Sequence, residues 1–570
     1  MGNARVALPR GLLAFMLAVV AWGAAHASDV LPRLSRDGAS VELEVDGKPF
    51  LLLAGEIHNS SASSTAYMQP IWDRLAALHL NTVIGTVSWE LTEPEQGQFD
   101  FSLVDDQIEQ ARRRDLHLVL IWFASYKNAE SRYVPAWIRK DVSTYPRVVE
   151  APDTSGRFKS RYRGLSTVEI TPFSDNLLTA DSHAFAMLMH HLRERDPNHT
   201  VIMLQVENEV GLLGDSRDRS SLAESAWRKQ VPAELLMYMK SHDTTLRPEL
   251  KTLWGRQNKR TRGTWAEVFG TDWEADEVFM AWQFGRFVDK VAEAGKKELA
   301  IPMYANAWLG PQPGADIAGL YPSGGPVARM MDVWKAAAPA IDFLAPDIYV
   351  DDVKGTYSNY TRADNPLFPP ETQPIVGSLF QAIGMPSSLG YSIFGIEDVP
   401  IDGQIAEAYY WLKPAIPEIL EARAKGGVRG FALGPNEVER FQLGAWDVAV
   451  SGTLDAMKKY MLDAGMAAPE DHRASKPEGR GLFAPVLTDK RPSGLIIETG
   501  PNEFLMLGSG FSANFSRSGT RGAPVEIESI EEGRFVDGHW TPGRRLNGDE
   551  QHNPIPIDAV AAVRVKFVQR

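Results

Sequence analysis

The 570-residue chain contains no cysteine, which excludes disulfides, thiolate nucleophiles and cysteine-based zinc or iron–sulfur sites. Basic residues are fewer than acidic ones: the chain has 59 lysines and arginines and 73 aspartates and glutamates, which gives a net charge of −14. Such acidity argues against nucleic acid or an anionic membrane as a partner. Beyond the N-terminal region no apolar run reaches the length of a membrane span. The fold must therefore rest on a hydrophobic core, for which 44% apolar residues are ample.

Residues 1–27 have the pattern of a secretory signal peptide. Arg5 and Arg10 precede the apolar stretch GLLAFMLAVVAWGAA, and the tripeptide AHA supplies a small-x-small cleavage motif before Ser28. Cleavage removes two arginines and no acid, so the net charge goes from −14 to −16. An uncleaved membrane anchor is the alternative, but the apolar run is short for a span. We therefore expect an exported protein, periplasmic or secreted, without a membrane anchor.

Strand-like and helix-like segments alternate along most of the chain that follows. Eight short apolar strands can be counted from FLLLAGEIH to LGYSIFGIED, and seven of them follow a plausible helix. This order predicts an α/β fold, a (β/α)8 TIM barrel over residues 28–424. A doubly wound sheet is the alternative, but no glycine-rich phosphate turn follows an early strand.

Two regions depart from this alternation. Residues 211–296 are too long for one helical connection and hold five tryptophans, so we predict an insertion over the active face of the barrel. Beyond Gly426-Gly427, short strands are separated by Gly, Pro and Asn. Residues 425–570 are therefore predicted to form an all-β sandwich, an accessory domain at the C-terminus.

The predicted strand ends carry many carboxylates, amides and aromatic residues. In a TIM barrel the reactive groups lie at the C-terminal ends of the strands. In chain order these residues are Glu56, His58, Trp89, Glu90, Asn128, Glu130, Glu207, Asn208, Glu209, Asn306, Trp308, Asp347, Tyr349, Glu371, Glu397 and Asp398. Carboxylates and amides bind hydroxyl groups, and glycoside hydrolysis needs two carboxyl groups flanking the scissile bond. The composition of the ring thus indicates sugar chemistry, although any single acid could instead pair with an arginine on the rim.

The stretch IMLQVENEVGLLG, residues 202–214, brings a buried strand directly into two glutamates. A carboxylate at the mouth of a buried strand is costly unless it is used or paired. Residues two apart share one face of a strand, so periodicity leaves Glu207 and Glu209 as equal candidates for the chemical role.

This stretch resembles the strand-four signature of glycoside hydrolase family 35, the β-galactosidases, in the clan A of retaining barrel glycosidases. The segment WDRLAALHLNTVIGTVSWELTEPEQGQFDF resembles the strand-two block of that family, and KNAE resembles its galactose-gripping Asn-Ala-Glu. The resemblance implies that Glu209 is the general acid/base and that Glu207 supports it. It also implies that Asn208 binds the 2-hydroxyl of the sugar. Lys127, Asn128 and Glu130 are implied as further sugar-binding residues.

The nucleophile of this clan stands at the end of strand seven, and NPLFPPE resembles a bacterial branch in which that strand ends in Pro-Glu. The resemblance implies Glu371 as nucleophile, with Glu397 after strand eight as the alternative. Pro369 and Pro370 remove two backbone donors, so we predict that strand seven ends early or bulges there. Retention requires carboxyl groups about 5–5.5 Å apart, with Glu209 protonated and Glu371 ionised.

Four more residues are candidate substrate contacts. Tyr349 resembles the tyrosine that contacts the nucleophile in this clan, and Trp308 is either a sugar platform or a core residue. Glu56 and Glu90 stand where the family usually has an amide or a small residue. No His-Glu-x-x-His spacing or aspartate cluster indicates a metal. We expect neither a metal nor a cofactor.

Together these patterns predict an exported retaining exo-β-galactosidase that removes terminal galactose through a galactosyl-enzyme intermediate. A plant-wall oligosaccharide such as galactosylated xyloglucan is the expected substrate, by analogy with the bacterial branch. A clan A enzyme for β-mannoside, β-glucoside or arabinoside is one alternative, and a non-catalytic secreted carbohydrate-binding protein is another. The oligosaccharide is the expected partner, nucleic acid is not, and a homodimer is retained as a candidate assembly.

Overall fold

A computed structural model describes residues 2, 30–37, 40–128, 131–152, 164, 166–467, 477–480, 485–487, 489–519, 525–536 and 538–569. Almost all of the predicted signal peptide lies outside these residues, as does Glu130. Among the described helices, none combines the length and the apolar character that a membrane crossing requires.

A small antiparallel sheet precedes the barrel and consists of β1 (Arg33–Asp37), β2 (Ser40–Val45) and β3 (Lys48–Phe50). Asp46 and Gly47 form the hairpin turn between β2 and β3, with φ of 52° and 71°, as a type I′ turn needs. Leu43 and Val45 of β2 belong to one apolar cluster with the side chains that fill the barrel. The small sheet therefore packs against the interior of the barrel.

Parallel strands form the barrel wall, seven of them regular in the described part of the chain, in the spatial order β10-β4-β5-β6-β7-β8-β9. They are β4 (Leu52–Glu56), β5 (Thr82–Ser88), β6 (His117–Lys127), β7 (Val201–Asn208), β8 (Met303–Trp308), β9 (Phe343–Asp347) and β10 (Gly390–Phe394). The strands are buried on both faces, as expected for a sheet covered by helices outside and filled by side chains inside.

The segment at residues 365–372 fills the gap between β9 and β10, and we call it the seam. The Ile348 amide donates to the Glu371 carbonyl at 2.8 Å, and the Ser392 amide donates to the Pro369 carbonyl at 3.1 Å. Because Pro369 and Pro370 have no N–H group, the seam touches both neighbours without forming a regular ladder. The predicted interruption of strand seven is confirmed, and the seam closes the (β/α)8 barrel.

Helices cover the outside of the barrel. They are α1 (Thr65–Ala77), α2 (Trp89–Thr92), α3 (Ser102–Arg113), α4 (Ala136–Lys140), α5 (Asp175–Arg195), α6 (Ser221–Trp227), α7 (Ala233–Ser241), α8 (Pro248–Arg256), α9 (Trp265–Phe269), α10 (Trp273–Glu298), α11 (Met331–Ala337), α12 (Val353–Tyr360), α13 (Val376–Ile383) and α14 (Gln404–Ala424). The segment predicted as an insertion contains α6 to α9 and most of α10. Gly295 lets α10 approach α5, since a Cβ atom there would lie 2.3 Å from the Phe185 ring.

The C-terminal region is built from strands and one described helix, α15 (Thr453–Asp463). The strands are β11 (Val428–Ala432), β12 (Val438–Leu443), β13 (Trp446–Gly452), β14 (Pro477–Arg480), β15 (Pro485–Leu487), β16 (Ser493–Gly500), β17 (Glu503–Ser509), β18 (Phe511–Arg517), β19 (Ile527–Val536), β20 (His539–Leu546) and β21 (Ala561–Phe567). One sheet has the order β11-β16-β17-β21-β19-β20 and the facing sheet the order β12-β13-β18. Trp446, Phe504 and Phe511 belong to the core between them. The predicted fold class, a TIM barrel followed by a β-sandwich, is confirmed.

Candidate active site

Three carboxylates meet at the C-terminal mouth of the barrel: Glu209 follows β7, Asp347 ends β9 and Glu371 lies on the seam. One oxygen of each lies within 4.8 Å of an oxygen of the other two. Their residues are only 7%, 2% and 6% exposed, respectively. This spacing is close to the roughly 5–5.5 Å of a retaining glycosidase and shorter than the roughly 6.5–9.5 Å of an inverting one.

Glu207 in β7 and Glu209 just beyond its end point in different directions because the chain leaves the extended conformation there. Glu207 has a φ of 62° and Glu209 a φ of 46°, which is the left-handed region for both. That conformation costs a non-glycine residue about 1–2 kcal/mol, so surrounding contacts must hold it. The alternation rule assumes an extended strand and therefore does not apply to this pair.

Polar contacts from β8 and from the end of β6 hold Glu209. Its amide donates to Oδ1 of Asn306 in β8 at 2.8 Å, and the Asn128 amide group donates to its Oε2 at 3.1 Å. The Lys127 ammonium group lies 3.9 Å from the same carboxylate oxygen. The predicted sugar-binding residues Lys127 and Asn128 are thus brought directly to Glu209.

Glu207 faces the protein interior instead of the cleft. It is fully buried and accepts hydrogen bonds from the amides of Ser125 at 3.3 Å and Tyr126 at 2.8 Å. Burial, together with the neighbouring Asp181 carboxylate, raises the pKa of Glu207 well above its usual range. Asp181 in turn accepts a hydrogen bond from the Trp122 indole at 2.8 Å. Glu207 therefore fastens the end of β7 to the end of β6.

Asn306 connects the whole site, although the sequence marked it only as a strand-end residue. Its amide group donates to Asp347 Oδ2 at 2.8 Å, to Asn208 Oδ1 at 3.2 Å and to Glu371 Oε1 at 3.4 Å. The Gln205 amide donates to the same Asn208 oxygen at 2.8 Å. This fixes the orientation of Asn208, whose buried Nδ2 has no hydrogen-bond partner among the described residues. A ligand oxygen can therefore accept from Asn208.

Glu371 is held on its other oxygen by Tyr349, whose hydroxyl donates to Oε2 at 2.9 Å. Burial raises the pKa of Glu371 to about 7, and the charge of Glu209 adds to this effect. The Lys127 charge and the Tyr349 hydrogen bond act in the opposite direction. The ionisation of Glu371 thus depends on its immediate neighbours.

Lys127 supplies the positive charge of the site. It is 5% exposed, with its ammonium group 5.4 Å from the centre of the Phe123 ring. Burial lowers the pKa of Lys127, but the charges of Glu209, Glu371 and Glu56 outweigh burial and raise it. A lysine cation therefore lies among the carboxylates and offsets part of their charge.

The remaining candidates lie further from the pair. Trp308 ends β8 and is partly exposed on the rim. Glu90 accepts a hydrogen bond from Arg139 at 3.3 Å and lines a separate cavity of about 260 Å³. Glu397 accepts from the Ser61 hydroxyl at 2.7 Å and is not one of the three clustered carboxylates.

Within the described ranges, the same three carboxylates are also close enough together to ligate a divalent cation. The Lys127 ammonium beside Glu209 and the Asn306 amide on Asp347 already compensate part of that charge. Two close carboxyl groups at the mouth of a parallel barrel are also the arrangement of barrel glycosidases, which need one acid and one nucleophile or base.

Comparison with known proteins agrees with that class. Residues 62–256 match a family model described as Beta-galactosidase, that of glycoside hydrolase family 42, and residues 405–557 match one described as a domain of unknown function, DUF5597. The chain is 42% identical over 78 residues to a curated β-galactosidase of Xanthomonas manihotis, covering 13% of each protein.

Solved structures of β-galactosidases are also similar to the chain. Those from Bacillus circulans sp. alkalophilus and Rahnella sp. R3 are 15% and 16% identical, with TM-scores of 0.38 and 0.40. The alignments cover 60% and 68% of this chain, and 50% and 58% of those chains. The chain thus spans little more than half of these structures and a small part of the curated relative.

The predicted resemblance to β-galactosidases is confirmed by the family-model match, which takes in Lys127, Asn128, Asn208 and Glu209. Glu371 lies beyond the matched residues. The matched model is that of family 42, so the finer assignment to family 35 remains a prediction.

Proposed function

We propose that the protein is a retaining exo-β-galactosidase. The observation that carries this proposal is the close pair of Glu209 and Glu371, with oxygens within 4.8 Å, on a barrel whose residues 62–256 match the β-galactosidase model. This separation supports retention, because inverting enzymes hold their two carboxyl groups roughly 6.5–9.5 Å apart to accommodate the attacking water beside the sugar.

In the proposed reaction, Glu371 attacks the anomeric carbon while Glu209 gives a proton to the departing glycosidic oxygen. The bond to the leaving group breaks and a galactosyl ester of Glu371 forms. Glu209 then removes a proton from water, which attacks the same carbon and releases β-galactose with free Glu371. Tyr349 and Asn306, one on each oxygen, orient the attacking carboxylate, and Asn208 is free to donate to the sugar 2-hydroxyl.

We also propose an exported enzyme that acts on plant-wall oligosaccharides such as galactosylated xyloglucan. The signal-peptide pattern of residues 1–27 supports export. The oligosaccharide substrate rests on the resemblance to the bacterial branch. A clan A glycosidase for another sugar is the competing enzyme, and a carbohydrate-binding protein is the competing non-enzyme.

A panel of nitrophenyl β-glycosides tests the activity, with the anomer of the first product followed by proton NMR. We expect the galactoside to have the highest kcat/KM and β-galactose to appear before its α anomer. A higher kcat/KM for the mannoside, glucoside or arabinoside would favour the competing enzyme. If α-galactose appears first, retention is wrong, and if no glycoside is hydrolysed, the binding protein is favoured.

The hydrogen bond from Tyr349 predicts a shift in pH dependence. Since only ionised Glu371 attacks, kcat/KM should rise as the pH increases through the pKa of about 7. The Tyr349 bond lowers that pKa, so Tyr349→Phe should move the rising limb to higher pH. The pH profile of kcat/KM on nitrophenyl β-galactoside measures the shift. Tyr360→Phe is a matched control, because the Tyr360 hydroxyl donates to the Pro326 carbonyl; equal profiles for both variants would contradict the prediction.

A further inference from the structure

The interior of the barrel ends in three buried polar side chains near the carboxylate pair, and we call them the site floor. Glu56 ends β4, Tyr304 lies in β8 and Asp347 ends β9, with exposures of 1%, 0% and 2%. The Tyr304 ring is stacked on Phe343 at 5.1 Å and meets Phe368 edge-on at 5.7 Å. Its ring therefore belongs to the apolar core, and its hydroxyl is the polar end.

The site floor holds polar atoms that lack protein partners. Within the described part of the chain, no hydrogen bond reaches either carboxylate oxygen of Glu56, the Tyr304 hydroxyl or Oδ1 of Asp347. Buried polar groups are nearly always paired, so several unpaired ones in one place call for an explanation. A functional site explains them, because a ligand can supply the missing partners.

Asp347 of the site floor has a carboxylate oxygen within 4.8 Å of one on each of the two glutamates. Burial and the charge of Glu371 raise the pKa of Glu56, while the Lys127 charge lowers it. Burial raises the pKa of Tyr304, and the charges of Glu56, Asp347 and Glu371 add to this effect. The site floor is therefore part of the same electrostatic environment as the proposed catalytic pair.

The chemistry of the floor matches hydroxyl groups. Glu56 and Asp347 offer acceptor oxygens, and Tyr304 offers a hydroxyl that can donate or accept. Each sugar hydroxyl also both donates and accepts, so it can satisfy both kinds of group. The two oxygens of one carboxyl group are spaced to meet two neighbouring hydroxyls at once. With Glu209 and Glu371 at the anomeric carbon and Asn208 free for the 2-hydroxyl, the unpaired oxygens of the floor are available to hydroxyls further round the ring.

We propose that Glu56 and Tyr304 bind the 3- and 4-hydroxyls of the sugar and thereby select the galacto configuration. This inference rests on the proposed β-galactosidase function. The 4-hydroxyl is axial in galactose and equatorial in glucose, so a floor fixed by β4 and β8 distinguishes the two. Glu56 and Tyr304 are specificity residues in this proposal, and they take no part in proton transfer to the leaving group.

A cycle of enzyme variants and deoxy substrates tests the role of Glu56. Nitrophenyl β-galactoside and its 3-deoxy and 4-deoxy analogues are compared in the full-length enzyme and in Glu56→Ala. In the wild type, loss of a bound hydroxyl should lower kcat/KM by roughly 100-fold or more, because buried polar groups lose their partner. In Glu56→Ala, kcat/KM should fall by less than about tenfold between nitrophenyl β-galactoside and at least one of the two deoxy analogues.

The ratio of two substrates in one variant is independent of the amount of folded enzyme, so partial misfolding does not obscure the result. If Glu56→Ala lowers kcat/KM for all three substrates by the same factor, the inference is wrong. If the wild type hydrolyses no galactoside, the proposed function fails first. If the wild type hydrolyses galactosides but removal of a hydroxyl lowers kcat/KM by the same factor in the wild type and in Glu56→Ala, only the inference fails.

Tyr304→Phe gives a second test, with a matched control. Its hydroxyl has no partner in the described protein, so removing it should leave the melting temperature unchanged or raise it, while the preference for the parent over a deoxy substrate falls. Tyr357 is also buried, but its hydroxyl donates to the Ser378 carbonyl at 3.0 Å. Tyr357→Phe should lower the melting temperature and keep the substrate preference. If Tyr304→Phe behaves like this control, the floor is structural and the inference is overturned.

Discussion

Glu371→Ala is expected to lower kcat on nitrophenyl β-galactoside by at least about 10⁴-fold, because losing a nucleophile removes the covalent route. The carboxylate is 6% exposed and accepts a hydrogen bond from Tyr349 at 2.9 Å, so it is held in place for attack. Azide or formate should partly restore turnover by attacking from the side that the carboxylate occupied. Steady-state kinetics and NMR of an α-configured product measure both effects.

Glu397→Ala is the control for this prediction. Glu397 is the alternative nucleophile, but its carboxylate accepts from the Ser61 hydroxyl at 2.7 Å and stands apart from the clustered acids. We expect Glu397→Ala to keep kcat within about tenfold of wild type, on the scale of a lost hydrogen bond. If Glu397→Ala is inactive while Glu371→Ala keeps its activity, the nucleophile is assigned to the wrong strand.

Glu209→Gln should have a second large effect, one that depends on the leaving group. A glutamine cannot give up a proton, so turnover of galactosides with poor leaving groups should fall by about 10²–10⁴-fold. Dinitrophenyl β-galactoside needs no protonation, and its first, bond-breaking step should stay near the wild-type rate. The galactosyl enzyme should then accumulate, because activation of water is also lost. A burst of dinitrophenol in stopped-flow experiments measures this accumulation.

Glu207→Gln is the matched control, since it changes the neighbouring glutamate of the same strand. Its carboxylate accepts from the Ser125 and Tyr126 amides and faces Asp181, away from Glu209. We expect its ratio of rates on good and poor leaving groups to equal that of wild type, whatever happens to stability. If Glu209→Gln slows both kinds of substrate equally, the assignment of Glu209 as proton donor is wrong.

Much of the barrel could be predicted from the sequence because its strands are buried on both faces. Each forms a short apolar run between turn residues, and the buried strand predicted at the start of IMLQVENEVGLLG lies within β7, which ends at Asn208. The seam was also predictable in part, since two consecutive prolines cannot donate to a ladder. Its hydrogen bonds to both neighbours depend on the closed barrel and could not be predicted from the local sequence.

The roles of Glu207 and Glu209 could not be separated by periodicity. That rule places residues two apart on one face only while the chain is extended, and both residues have a positive φ. The conformation is maintained by contacts distant in sequence, such as that between the Glu209 amide and Asn306. Local pattern therefore predicted where the acids are, and tertiary contacts determine which way each points.

Other parts of the site depend on pairs far apart along the chain. Asp347 and Asn306 were strand-end residues without an assigned role, and the structure links them by a 2.8 Å hydrogen bond. Asp181 lies in α5, and Tyr304 reads as an ordinary aromatic core residue in its strand. No local signal distinguishes such residues from structural ones, because their roles arise only when the barrel closes.

The seam has a consequence for how the protein responds to heat. Single hydrogen bonds tie the backbone at Glu371 to its neighbours, whereas β5 and β6 pair continuously from Thr82 to Ser88. Regions with fewer cooperative hydrogen bonds open at lower free energy than the core around them. Local fluctuation of this one stretch would displace Glu371 while the other strands keep their native pairing. Activity can therefore be lost at a lower temperature than that at which the whole protein unfolds. The hydrogen bonds from Tyr349 and Asn306 to Glu371 oppose the local opening and so reduce the gap between these two temperatures.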